Sequence, residues 1–191
     1  MLFVNGNPGA LSLPQIAIVG SRNPTAGGYD TARQFAAHLA KAGFIITSGL
    51  ALGIDTAAHL GALDAGGLTI AVCGTGLDYV YPPQNDGLAD LISAQGALIS
   101  EFPPGTDFRR SNFPQRNRLI SGLTVGTLVV EAGIRSGALI TARLAGDQGR
   151  EVFAIPGSIH SPLSKGCHQL IRQGGKLVEN AQDIVEELGG L

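Results

Sequence analysis

IAIVGSRNPT, residues 16–25, sets a short apolar run against a Gly-Ser turn that ends in an arginine. Ile16–Val19 is apolar throughout and partly β-branched, the pattern of a strand covered on both faces. The same pattern recurs at Phe44–Thr47, Leu68–Cys73, Ala97–Ser100, Thr127–Val130 and Glu151–Ile155. Helical spacing of apolar residues fills the intervals, at Tyr29–Lys41, Gly53–Asp64 and Ser136–Asp147. Strands alternating with helices imply parallel pairing through right-handed crossovers. The expected fold is therefore α/β: a doubly wound, mostly parallel sheet with helices on both faces. Leu2–Val4 reads as an extra edge strand, Lys176–Val178 as a last strand and Ala181–Leu188 as a closing helix. Loops are short and no linker, repeat or low-complexity tract interrupts them, so residues 1–191 are expected to form one domain.

Composition agrees with a packed core. Hydrophobic residues make up 44% of the 191 and charged residues 15%, outside the range of disordered chains. Glycine, at 28 residues, is about twice its usual share of roughly 7%. Such an excess marks tight turns or close approach of backbone to backbone or ligand. No apolar run nears the roughly 18 residues of a membrane helix, and the first residues lack a basic, then apolar, secretory pattern. A cytoplasmic location is expected. Cys73 and Cys167 lie far apart and outside any CxxC spacing, which speaks against a disulfide or zinc site. A net charge of −2 argues mildly against nucleic acid, but Arg109, Arg110, Arg116 and Arg118 cluster with only Asp107 nearby. Local field outweighs the sum, and nucleic acid stays open as a partner.

Most strands run out into small, flexible residues: Gly20-Ser21, Ser48-Gly49, Gly74-Thr75-Gly76, Glu131-Ala132-Gly133 and Pro156-Gly157-Ser158. In open α/β sheets the ligand crevice lies at these carboxyl ends. Bare backbone amides and following helix N-termini suit an anion there. Tight turns alone explain any one of these glycines; their repetition favours a phosphate-bearing ligand. Arg22 must emerge at the crevice, either on a phosphate or in a salt bridge to Glu131 or Glu101.

Familiar catalytic patterns are missing. Gly74-Thr75-Gly76 lacks the third glycine of a dinucleotide fingerprint, and Gly174-Gly175-Lys176 lacks the rest of a P-loop. Ser48 has no nucleophile-elbow frame. His38 and His59 fall in helical patterns, and His160 and His168 have no clear acid partner. Glu131, ending an apolar strand, is either a base with a raised pKa or an acceptor for backbone N–H groups of a neighbouring loop, the latter favoured.

The segment Asp107–Ile120, DFRRSNFPQRNRLI, interleaves four arginines with Phe108 and Phe113. Single strands are held by cations on the backbone and aromatic faces under the bases. Pro114 points to a helix beginning just beyond it, with Arg116 and Arg118 in its first turns, where arginine is unfavourable without an anion or a buried acid. At least one of that pair is expected to be structural, and Phe113 has the alternative role of a core plug.

These strings are specific in combination. IAIVGSRNPT, TSGLALGIDTAAHLGAL, TIAVCGTGLDYVYPPQN, LISEFPPG, FPQRNRLISGL, VVEAGIRSGALITARLA, GREVFAIPG and KGCHQLIRQGGKLV occur in order. From Leu2 to about Leu188 the chain resembles the DNA-processing protein A (DprA/Smf) family. The resemblance implies an extended Rossmann-like domain, non-enzymatic and without a cofactor or metal. It implies sequence-independent binding of single-stranded DNA and loading of the recombinase RecA in natural transformation and recombination. It also implies a homodimer through the carboxyl-terminal part of the core, around His168–Val178. Carried over by motif, the DNA site comprises Ser21, Arg22, Arg110 and Phe113, with Arg116 and Arg118 lining or bracing it and Lys165 as a further contact. Arg110 stands where some relatives have lysine. The amino-terminal helical and carboxyl-terminal winged-helix-like domains common in the family are expected to be absent. The competing reading is a nucleotide phosphoribohydrolase-like enzyme with Glu131 as its acid, although the ordered PGGxGTxxE pattern of that group is missing.

Overall fold

The computed structural model describes residues 1–189. Its strands are β1 (Phe3–Gly6), β2 (Gln15–Val19), β3 (Ile45–Ser48), β4 (Thr69–Val72), β5 (Ala97–Ser100), β6 (Gly126–Val129), β7 (Glu151–Ala154) and β8 (Lys176–Leu177). They form one sheet in the order β1-β5-β4-β3-β2-β6-β7-β8. Among the described residues only β1 is antiparallel, pairing Phe3 with Ser100 at the sheet edge; the other pairings are parallel. This is the doubly wound arrangement that the alternating pattern predicts, including the amino-terminal edge strand.

Among the described residues seven α-helices pack with the sheet: α1 (Ala26–Lys41), α2 (Ile54–Asp64), α3 (Asp86–Gln95), α4 (Asn112–Leu123), α5 (Gly137–Asp147), α6 (Lys165–Arg172) and α7 (Ala181–Glu187). Alternate residues of each strand feed the two faces, as a pleat requires. Ile16 and Ile18 of β2 pack with Phe35 and Leu39 of α1, Ala57 of α2 and Ile184 of α7. Ala17 and Val19 pack on the other side with Ile120 of α4, Leu139 of α5 and Leu170 of α6. A smaller cluster joins Ala71 and Leu98 to Leu88 and Ile92 of α3. All five residues of β2 are buried, which explains why this strand carries no polar alternation.

Most strand ends fall within a residue of the sequence expectation, α1 begins at Ala26 rather than Tyr29, and one further shift bears on the site. The helix expected beyond Pro114 starts two residues before it, at Asn112. Pro114 sits in the first turn, where its missing N–H has no carbonyl to satisfy. The shift matters because it brings Phe113 and Arg116 onto one rigid element.

The strand order reverses at β2, whose neighbours are β3 on one side and β6 on the other. Such a switch point opens a crevice beyond the carboxyl ends of the strands. Here those ends are Gly20-Ser21-Arg22 and Val130-Glu131-Ala132. Among the described residues no helix is long and apolar enough to cross a membrane.

Candidate nucleic-acid interface

A groove of about 700 Å³ opens at the switch point. The end of β2 supplies Val19, Gly20, Ser21 and Arg22; α4 supplies Phe113, Pro114, Arg116, Asn117 and Ile120. Tyr81, Phe108 and Arg110 join the lining from the loops after β4 and β5, and Gly133, Arg135, Ser136 and Gly137 join it from the segment leading into α5.

The turn that presents Arg22 is fixed by backbone contacts. Ser21 N donates to Glu131 O at 2.6 Å, and Ile54 N donates to Ser21 O at 3.1 Å. The Ser21 hydroxyl accepts from Asn23 N at 3.1 Å. Gly53, at φ 82°, backs this turn so closely that a Cβ would press into the Ser21 and Arg22 carbonyls. Only glycine meets both demands. Arg22 is consequently thrust outward, and it is exposed.

Glu131 does not face an open site. Its carboxylate accepts from Thr25 N at 2.9 Å and from the Thr25 hydroxyl at 2.7 Å. Thr25 in turn caps α1, its Oγ1 accepting from Gly28 N at 3.0 Å. The glutamate therefore ties the VGSRNPT turn to β6, the structural alternative of the two weighed from sequence.

Beneath the groove lies a sealed polar floor. Arg116 is 5% exposed and donates to Gly49 O at 2.7 Å, to Val72 O, and to Asn117 Oδ1 at 3.1 Å. Asp55, also buried, accepts from Gly49 N at 3.1 Å and Ala51 N at 3.3 Å. Asn85 donates to Leu50 O at 2.8 Å. These three side chains grip a segment in which Leu50 holds a φ of 63°, a strained value for a branched residue. The SGLALGID and YPPQN strings thus meet as one braced loop. Burial raises the Asp55 pKa, an effect opposed by the Arg116 charge. Burial likewise lowers that of Arg116, opposed by Asp55. On the buried face of α2, the pKa of His59 is driven down to about 3, chiefly by burial and secondarily by Arg116. Thr69 gives its proton to Ile46 O, so His59 Nδ1 donates to Thr69 Oγ1 at 2.6 Å. Its Nε2 is then a bare lone pair without a partner, as a neutral ring requires.

Of the residues anticipated from sequence, Ser21, Arg22, Arg110, Phe113 and Arg116 converge on the groove. Arg116 does so from below, as the structural member of its pair. Arg118 pairs with Glu101 outside the groove lining, and Lys165 is exposed at the start of α6, also outside it. Among the described residues the ion pairs are Arg33–Asp64, Arg118–Glu101, Lys176–Glu151 and Lys176–Glu187. None engages Arg22, Arg110 or Arg135, so the salt bridge weighed for Arg22 does not form. Two groups were missed. Arg135-Ser136-Gly137 follows a strand end already marked by its glycine, and Tyr81 follows the Gly74-Thr75-Gly76 turn. Among the described residues no His, Cys, Asp and Glu cluster of three or more is placed to hold a metal ion.

The family model for DNA recombination-mediator protein A matches residues 1–189. The chain belongs to this family. Among the relatives of this chain, Protein Smf of Escherichia coli is 51% identical over 98% of this chain and 50% of its own length. The crystal structure of DNA processing protein A from Streptococcus pneumoniae is 49% identical with a TM-score of 0.94, over 97% of this chain and 65% of that one. The Helicobacter pylori DNA processing protein A, studied for its single-stranded DNA binding mode, is 31% identical with a TM-score of 0.90. That match covers 98% of this chain and 86% of the other. The chain thus spans about half to two thirds of the length of the E. coli and S. pneumoniae proteins. The Rossmann-like fold expected from the resemblance is the fold observed.

Proposed function

We propose that the switch-point groove holds single-stranded DNA without sequence preference, and that the chain serves DNA processing in recombination. The observation that carries this is the set of guanidinium groups with no carboxylate partner among the described residues, Arg22, Arg110 and Arg135, around aromatic rings in one groove. Cations at the rim suit a sugar–phosphate chain and rings suit unpaired bases. Ser21, Arg22, Arg110 and Phe113 make the contacts, Arg116 braces the floor, Arg118 steadies the neighbouring loop through Glu101, and Lys165 meets the strand beyond the groove. The named binding mode of the H. pylori relative supports the same ligand. RecA loading during natural transformation, action in the cytoplasm and homodimerisation around His168–Val178 complete the reading. Leu177, half exposed on the two-residue edge strand β8, suits such a dimer contact.

The phosphoribohydrolase reading has no comparable support, since both carboxylate oxygens of Glu131 are engaged by Thr25. The test is titration of a labelled oligo-dT across a range of salt. The logarithm of affinity should fall linearly with the logarithm of salt, with a slope of about −0.7 per phosphate contacted. Absence of binding at low salt overturns the proposal.

A further inference from the structure

Three rings from three separate segments meet in the lining of the groove. Tyr81 comes from the loop after β4, Phe108 from the loop after β5, and Phe113 from the first turn of α4. Their centroids lie 4.3 Å (Tyr81–Phe108), 5.4 Å (Phe108–Phe113) and 5.6 Å (Tyr81–Phe113) apart, with tilts of 37°, 46° and 60°. Mutual packing of this kind fixes each ring's orientation. Phe113 is further seated on Gly74, where a Cβ would stand 3.1 Å from its edge carbons. A mere satellite core would bury its rings, but Phe108 is 36% exposed and all three line the groove wall. Arg22 and Arg116 stand 6.0 and 5.5 Å from the Phe113 centroid.

We infer that Tyr81 and Phe108 complete, with Phe113, a preassembled platform on which an unpaired nucleobase stacks. The inference rests on the DNA reading above and adds a division of labour to it. Arginines meet phosphates, which single and double strands share. The platform meets a base face, which a duplex keeps inside its stack and a single strand offers freely. Preference for single strands therefore resides in the rings. Stacking is tolerant of base identity because every base has a π-face, so the platform confers no sequence preference.

The test compares oligo-dT, an abasic oligomer with the same number of phosphates, and a duplex of equal length. Tyr81→Leu combined with Phe108→Leu keeps apolar bulk and removes two π-faces. This variant should lose roughly fivefold to a hundredfold in affinity for oligo-dT. Its affinity for the abasic oligomer, its affinity for the duplex and its salt slope should match the wild type. Equal losses on the abasic oligomer, or none on oligo-dT, overturn the inference. A second readout leaves Tyr81 in place. The chain has no tryptophan and three tyrosines. Tyr29→Phe with Tyr79→Phe makes Tyr81 the sole emitter, whose fluorescence should be quenched by oligo-dT and not by the abasic oligomer. Equal responses to the two overturn the inference. Strong binding of all three ligands by the wild type with no preference among them overturns the platform while leaving phosphate binding intact. Failure of the wild type to bind any of them overturns both.

Discussion

Arg116 and Arg22 approach the same Phe113 ring from different surroundings. Arg116 is sealed in the floor, its guanidinium held by the Gly49 and Val72 carbonyls with Asp55 nearby. Arg22 stands at the rim, exposed and without a carboxylate partner among the described residues. The floor is a polar network closed on itself; the rim is an electrostatic surplus that only an external anion neutralises. The same side chain thus supports the fold in one position and offers a contact in the other, because burial decides whether its hydrogen bonds are internal.

The strongest way to break this comparison is at the floor. Arg116→Met should lower unfolding free energy by about 3–5 kcal/mol in urea titrations, because the buried Gly49 and Val72 carbonyls lose their donor and Asp55 loses the nearby positive charge. Adding Asp55→Asn should recover part of that loss. If Arg116→Met left stability intact, the floor would not be a brace.

At the rim the expected pattern reverses. Arg22→Ala should change stability by no more than about 0.5 kcal/mol. It should weaken oligo-dT binding by about 1.5–3 kcal/mol, the range of a charge-assisted contact. Thermal unfolding and fluorescence anisotropy on one preparation would read both.

His59 sharpens the comparison through pH. Its native pKa of about 3 lies below the unfolded value of about 6.5. The unfolded chain therefore binds the extra proton between these values. The stability contributed is fully present above pH 6.5 and is lost as pH falls toward 3, at about 1.4 kcal/mol per unit. By pH 5 the loss should be about 2 kcal/mol, and His59→Gln should flatten that slope in urea titrations at several pH values. The smallest effect belongs to Arg118→Ala. Losing an exposed pair with Glu101 should cost about 0.2–1 kcal/mol and leave the salt slope of DNA binding unchanged. A reduced slope would move Arg118 into the rim.

Several parts of this design were legible from local sequence. The core strands showed themselves because residues such as Ile16–Val19 are covered on both faces and need no polar alternation. Arg22 was legible because a guanidinium directly after a buried strand and a Gly-Ser turn has only the crevice to enter. The opposite fates of Arg116 and Arg118 were not, since both stand in the same helix start with the same charge. Pro114 misplaced that start, which lies two residues before the proline rather than beyond it, because proline is tolerated within a first turn. Tyr81 was unreadable as a site residue: it lies 27 positions before Phe108, and nothing in that interval states that the rings meet.

The alternation of strands and helices along the chain and the glycine-lined strand ends were thus determined by the sequence alone, through periodicity and the chemistry of turns, whereas the strand order that sets the switch point at β2 was not. Which arginine is sealed, which is open and which rings gather in the groove lining were decided only by tertiary structure. Those outcomes depend on the packing of segments distant along the chain, where burial and the supply of internal hydrogen-bond acceptors are set.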